Sequence, residues 1–333
     1  MQDPCRTTED INTIAALVPT IMSATAYAQY GGPEVLEPFM VPTPKIADGQ
    51  VLLKVHAAGV NPIDYRIRRG DIKWLLLGHF PRIPGYDVSG VVVQEQSNGR
   101  FAIGDRVFAF LDNMYGGGYA EYAACGSDCM AKMPASMSFE EAAAIPLAGT
   151  TALQCLRDHG SISSGDSVLI NGASGGVGAF AIQIAKSYGT EVTAVASGSN
   201  EDFVRSMGAD AFIDHEQENF AKSDKSWNLI LDAAGKSSYL EAYHVLAPGG
   251  RFVSTEPSLS GFLVSVATVV ANKQSSVMLA KPNAGDLEEL ARLYSNGALK
   301  VTISDTFRFD DAWKAHQQIE SGKVGRGKLV LAI

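Results

Sequence analysis

The 333 residues are 46% hydrophobic and carry a formal net charge of −9. That length supports two packed domains, and the acidic balance argues against a nucleic-acid surface or a polybasic membrane patch. Cys5, Cys125, Cys129 and Cys155 form no Cys-x-x-Cys; a structural zinc lobe is not expected, and reduced thiols of an intracellular (cytoplasmic or organellar) protein are.

Residues 1–22 read as an N-terminal extension. Asp3, Glu9 and Asp10 outweigh Arg6 there, unlike a transit peptide or the head of a signal peptide. Ala24 to Gln29 predicts a first strand, and Gly31-Gly32-Pro33 a turn. Val51 to Ala57 predicts a strand ended by Gly59. Asn61-Pro62 opens a short helix, with proline at an early helical position. Pro84-Gly85-Tyr86-Asp87 reads as a turn, Val88 to Val93 as a strand interrupted by Gly90, and Arg106 to Phe110 as another strand. Short strands divided by glycine and proline suggest a barrel or sandwich. Ser138 then caps a helix whose first turn holds Glu140 and Glu141. The Ala- and Leu-rich run to Leu156 is expected to break at Pro146 and Gly149.

The stretch around which the chain is organised follows. Val168-Leu-Ile170 is a short apolar run, as in a buried strand. It meets Gly172-Ala173-Ser174-Gly175-Gly176-Val177-Gly178. Beyond it, apolar residues at 177, 180, 181, 184 and 185 have helical spacing, and Gly189 stops the helix. Strand, glycine turn and helix make a corner for a dinucleotide pyrophosphate at a helix N-terminus. The turn departs from Gly-x-Gly-x-x-Gly, because Ala173 stands at the first glycine. Alternating strands and helices continue at Val192 to Ala196, Ala211 to Ile213, Leu229 to Asp232 and Arg251 to Ser254, which predicts a doubly wound parallel sheet.

Cofactor choice is read at the end of the second strand of that sheet. An acidic residue about 20 positions beyond the turn would favour NAD. Here Ser197, Ser199 and Asn200 offer donors instead, with Arg205 one helical turn on, so NADPH is favoured; the serines also suit helix capping. Glu201 and Asp202 count against it unless they face solvent. Phe262 to Leu279 reads as a core helix and edge strand, or as the lining of a lipophilic pocket or dimer interface. Its most apolar part is about half the length that crosses a bilayer. Leu287 to Leu293 and Asp311 to Ile319 predict helices, and Phe307 to Phe309 and the segment after Gly325 predict strands.

The chain resembles the zinc-independent quinone oxidoreductase branch of the medium-chain dehydrogenase/reductase superfamily, closest to alkenal reductases and chloroplast quinone oxidoreductase-like proteins. The resemblance rests on Gly31-Gly-Pro-Glu-Val-Leu, Ala57-Ala-Gly-Val-Asn-Pro-Ile-Asp, Pro84-Gly-Tyr-Asp-Val-Ser-Gly, Gly104-Asp-Arg-Val, Gly117-Gly-Tyr-Ala-Glu-Tyr, Ala148-Gly-Thr-Thr-Ala, the glycine turn, Pro248-Gly-Gly-Arg-Phe-Val and Gly325-Arg-Gly-Lys. It implies an α/β protein in which a GroES-like β-barrel catalytic domain, residues 23–148 and 283–333, is split by a Rossmann nucleotide-binding domain, 149–282. A homodimer is also implied. Zinc members carry cysteine and histidine ligands where this chain has Asn61, Gly85-Tyr86-Asp87 and Gly149-Thr150, so no metal is expected.

Without a metal, the site would work by orientation and hydrogen bonding on an acceptor that is already electrophilic. The resemblance places Asn61 and Thr151 on the nicotinamide side. Tyr65 and Tyr86 are candidate donors to the substrate oxygen, or packed aromatics. Ser254 and Thr255 approach the nicotinamide or its ribose. Lys328 reaches a cofactor phosphate or ends a solvated strand. The implied activity is NADPH-dependent reduction of a quinone or of the activated C=C of an α,β-unsaturated carbonyl. The alternatives are an enoyl reductase on a carrier-bound or biosynthetic intermediate, and a non-catalytic NADPH-binding protein.

Overall fold

The computed structural model describes residues 18–333 except 75, 77, 98 and 323. Most of the expected N-terminal extension, residues 1–17 with Cys5, therefore lies outside the described residues. Two main sheets organise the rest. The first contains β3 (Gln50–Val60), β4 (Asp87–Glu95), β5 (Arg106–Phe110), β6 (Tyr122–Gly126), β7 (Met130–Lys132), β14 (Ile303–Arg308) and β15 (Lys328–Ala332). Its order is β14-β15-β3-β4-β5-β7, with β6 on β3. The hairpin β1 (Ile21–Ala26) and β2 (Glu37–Pro42) lies beside it.

The second sheet contains β8 (Ser167–Asn171), β9 (Glu191–Ala196), β10 (Ala211–Asp214), β11 (Trp227–Asp232), β12 (Leu246–Ser254) and β13 (Gln274–Val277). All are parallel, in the order β10-β9-β8-β11-β12-β13. The order reverses between β8 and β11, so the connections leave on opposite faces and open a crevice at the strands' carboxyl ends. Val168, Leu169 and Ile170 are wholly buried, as a central parallel strand requires.

β15 joins the chain's late residues to the first sheet. Leu329 and Leu331 pack into the barrel core with Val51, Val88 and Val107, while Val330 meets Ala57, Ala143 and Ala144 on the opposite face. Each such aliphatic side chain contributes roughly 1.5–3 kcal/mol by leaving water. β15 pairs with β14 on one side and β3 on the other.

Three local expectations differ from the structure. β4 runs unbroken through Gly90. The Ala-rich run breaks only at Pro146, between α2 (Phe139–Ala144) and α3 (Pro146–Gln154); Gly149 lies inside α3, packed against Leu290 of α8 (Ala284–Ser295). Helix α7 (Leu259–Thr268) has no buried residue. It is therefore not a core helix: Leu259 is 78% exposed, Val266 75% and, just past its end, Val270 92%. β13 beside it is the sheet's edge, as expected of that stretch.

Candidate active site

The glycine turn links β8 to α4 (Gly176–Ser187). Gly172 has φ +80°, and the N–H groups of Gly172 and Ala173 both donate to the Val195 carbonyl (3.1 and 3.0 Å). Ala173 is wholly buried and its methyl belongs to the core. The sharp turn expected of the position's glycine is thus made one residue earlier. Gly175 is the N-cap of α4, leaving the helix's first N–H groups for an anion. Gly176, Val177 and Gly178 form the first turn of α4.

A groove of about 800 Å³ opens beside this turn. Ser174, Gly175, Ser197, Ser199 and Asn200 are among its walls, as are Asn171, His215, Lys236 and Ser237, which sequence reasoning passed over. Asn200 Nδ2 donates to Ser197 Oγ (2.9 Å) and Ser174 Oγ (3.4 Å). Arg205 does not line the groove: it pairs with Glu201 at 2.7 Å and donates to the Asp210 carbonyl. The cation that reaches this end is Arg326. It donates to Asn200 Oδ1 (3.0 Å) and the Ser199 carbonyl (2.9 Å), over the Phe203 ring. Neither Glu201 nor Asp202 lines the groove.

Asn61 caps α1 (Pro62–Arg69) and is 1% exposed. Its backbone N–H donates to Asp64 Oδ2 (2.7 Å). Its side-chain Nδ2 donates to Asp87 Oδ2 (2.9 Å), and its Oδ1 accepts from Lys328 Nζ. Asp87 Oδ1 accepts from the Leu147 N–H of α3 (2.8 Å), so one carboxylate links Asn61 to the helix that carries Thr151. Thr151 is buried there. Lys328 Nζ also donates to the Val60 carbonyl (3.3 Å) and lies 3.4 Å from Asp87 Oδ2. It is neither a solvated strand end nor part of the groove's walls.

Behind Asp64 runs a buried chain. Arg68 Nε donates to His316 Nδ1 (3.2 Å), His316 Nε2 is 3.2 Å from the Tyr119 hydroxyl, and that hydroxyl donates to Asp64 Oδ2 (3.3 Å). Arginine only donates, so Nδ1 accepts and the neutral ring's proton sits on Nε2, facing Tyr119. Burial pushes His316 down to about 3 and Asp64 up to about 7. Arg68 also pairs with Glu320 of α9 (Ala312–Glu320).

The tyrosines differ. Tyr86 donates its hydroxyl proton to the Met114 carbonyl (2.6 Å). Tyr65 is half-buried with the Arg69 guanidinium over its ring (5.6 Å). Ser254 Oγ accepts from the Glu256 N–H, and Thr255 Oγ1 donates to the Asp232 carbonyl. Ser254 ends β12 and Thr255 follows it, beside Asp232, which accepts from Asn171 at the switch point (2.9 Å). Glu256 reaches across to α1, where Arg66 holds it bidentately (3.0 and 2.9 Å).

Among the described residues there is no group of three or more His, Cys, Asp or Glu that could hold a metal ion. Asn61, Tyr86 and Thr150 supply neither thiolate nor imidazole, so this donor set does not fit zinc. No described helix is long and apolar enough to cross a membrane.

Comparison with known proteins adds the family. Residues 47–135 match the alcohol dehydrogenase GroES-like domain, and 207–331 match a model described as zinc-binding dehydrogenase. A chloroplast envelope quinone oxidoreductase homolog of Arabidopsis thaliana is 33% identical, over 88% of this chain and 94% of that one. A 2-methylene-furan-3-one reductase of Solanum lycopersicum is also 33% identical, over 94% of this chain and 80% of that one. A solved quinone oxidoreductase from Coxiella burnetii superposes with TM-score 0.86 at 34% identity, covering 94% of this chain and 99% of that one.

Proposed function

The chain belongs to the quinone oxidoreductase branch of the medium-chain dehydrogenase/reductase superfamily, and we propose that it reduces a quinone or the activated C=C of an α,β-unsaturated carbonyl with NADPH and without zinc. A nicotinamide cofactor follows from the family. The observation that carries the reading is a pair of sites joined by one short segment, Gly327-Lys328, although Asn61 and Thr151 are not among the groove's walls. A glycine turn with free helix N–H groups stands at one end, and a buried Asn61 fixed by Asp87 and Lys328 at the other.

The groove fits a dinucleotide, since Gly175 lines it and a Cβ there would touch only the Gly172 carbonyl oxygen, at an ordinary 3.5 Å. Ser174 and Gly175 would face the pyrophosphate. Ser197, Ser199, Asn200 and Arg326 would face the adenosine ribose, where their donors and the Arg326 guanidinium favour a 2′-phosphate. Bound NADPH supplies the hydride. Asn61 and Thr151 orient the reacting end. Addition to the carbon remote from a carbonyl develops charge on oxygen, which a hydroxyl donor stabilises. Among the described residues no protein acceptor takes the Tyr65 proton, whereas that of Tyr86 is committed to Met114. Tyr65 is therefore the readier donor.

A homodimer fits the same reading. Leu259, Leu263, Val266, Val269 and Val270 form an exposed apolar strip beside the open edge of β13, and a second copy covering it would bury both.

The test mixes purified protein and NADPH with a short enal, a quinone and an enoyl thioester, following absorbance of the reduced nicotinamide. Oxidation with the enal or quinone is expected. Tight NADPH binding without oxidation would leave a binding protein, and preference for the thioester would move the role to biosynthesis. Faster turnover with NADH would overturn the cofactor assignment.

A further inference from the structure

Lys328 is 5% exposed, and its ammonium meets Asn61, Asp87 and the Val60 carbonyl. An ammonium only donates and a carboxylate only accepts, so the two fix the Asn61 carboxamide in one orientation: Oδ1 toward Lys328, Nδ2 toward Asp87. One Nδ2 proton remains without a partner among the described residues.

The backbone that carries Lys328 is attached to the glycine turn. The Gly327 N–H donates to the Ser174 carbonyl (3.0 Å), and Gly175 and Gly327 form an isolated parallel bridge. The Lys328 stem passes beneath Gly176, where an added Cβ would come within 2.8 Å of Lys328 Cδ. The anchor on the turn and the ammonium on Asn61 thus belong to adjacent residues. Arg326, the preceding side chain, contacts Ser199 and Asn200 at the groove's far end.

We propose that Lys328 is a positioning residue for hydride transfer: it orients the Asn61 carboxamide and ties that orientation to the glycine turn, rather than binding a cofactor phosphate. The proposal rests on Asn61 standing at the reacting end of the cofactor, as read above. A misplacement of about 1 Å at such a group can cost on the order of a hundredfold in rate.

Lys328→Met keeps the apolar stem and removes the ammonium. In protein shown to be folded by circular dichroism and melting, kcat is expected to fall about ten- to a hundredfold while the Kd for NADPH, from nicotinamide fluorescence, moves less than about threefold. A Kd that rises as far as kcat falls identifies a phosphate ligand and overturns the proposal. Unchanged kcat in the folded variant overturns it as well. If the single variant does not fold, because Asp87 is left buried without its cation, Lys328→Met with Asp87→Asn removes both charges and is judged by the same two numbers. If the unsubstituted protein turns over no acceptor, the functional reading fails by itself. The NADPH titration then still decides the phosphate role: lost affinity shows that Lys328 binds a phosphate, and unchanged affinity leaves only its tie between Asn61 and the glycine turn, with hydride positioning overturned.

Discussion

A Cβ added at Gly178 would stand 2.2 Å from the Gly172 carbonyl oxygen and 2.7 Å from Ala173 Cα, whereas one at Gly175 would meet nothing closer than 3.5 Å. Gly178→Ala is therefore expected to destabilise the fold by about 1–3 kcal/mol, read from denaturant midpoints. Gly175→Ala is expected to stay within about 0.5 kcal/mol yet weaken NADPH binding at least about tenfold, because its methyl would occupy the approach of the pyrophosphate. His316 provides a second residue-scale test. Its folded pKa, about 3, lies below the unfolded value, so the folded state resists a proton that the unfolded state accepts. Its contribution is present above about pH 6.5 and is lost as pH falls toward 3. Asp64, raised to about 7, acts in the opposite sense, its contribution being full below about pH 4 and lost as pH rises through 7. His316→Gln keeps one acceptor for Arg68 and one donor for Tyr119 but cannot titrate. Melting curves should show it near the unsubstituted protein at pH 8 and losing less stability between pH 6.5 and 4. Positions fixed by local pattern were legible in the sequence: Ser174, Gly175, Ser197, Ser199 and Asn200 all line the groove. Arg205 was expected there too, but an (i, i+4) partner, Glu201, claims it.

Among elements, the segment 325–328 was the least legible. Its contacts join residues 126 and 267 positions apart, a distance that no local pattern encodes. Gly325-Arg-Gly-Lys was visible as a motif, but its direction was not. With Arg326 beside Ser199, Arg326→Ala is expected to raise the Kd for NADPH about tenfold or more and leave that for NADH nearly unchanged, as parallel fluorescence titrations would read. α1 meets the other sheet through Arg66 and Glu256, each more than a third exposed. Such a pair contributes only about 0.2–1 kcal/mol. Glu256→Gln should accordingly speed NADPH release by about two- to fivefold in stopped flow, with the difference fading at high salt. Strand positions were readable from short β-branched runs between turns. The exposure of α7 was not, because an apolar helix awaiting a partner and one inside a core have the same composition.

For the whole molecule, the two-sheet architecture followed from the order of motifs, while the surface left over after folding could only be seen in three dimensions. If the apolar strip of α7 meets a second copy, Leu263→Glu with Val266→Glu should shift the mass in light scattering from dimer to monomer, with circular dichroism unchanged. The position of β15 bears on how the molecule is made. β8 to β13 are contiguous in the chain, so their sheet can assemble while synthesis continues. The barrel cannot: β14 and β3 are both paired to β15, which comes latest of all the strands. During translation, residues 50–132 wait beside a growing nucleotide domain with the edge of β3 at residues 57–60 unpaired. The ammonium that meets Asn61 arrives with the strand that completes this sheet, so a nascent chain lacks that contact until its last strand has paired.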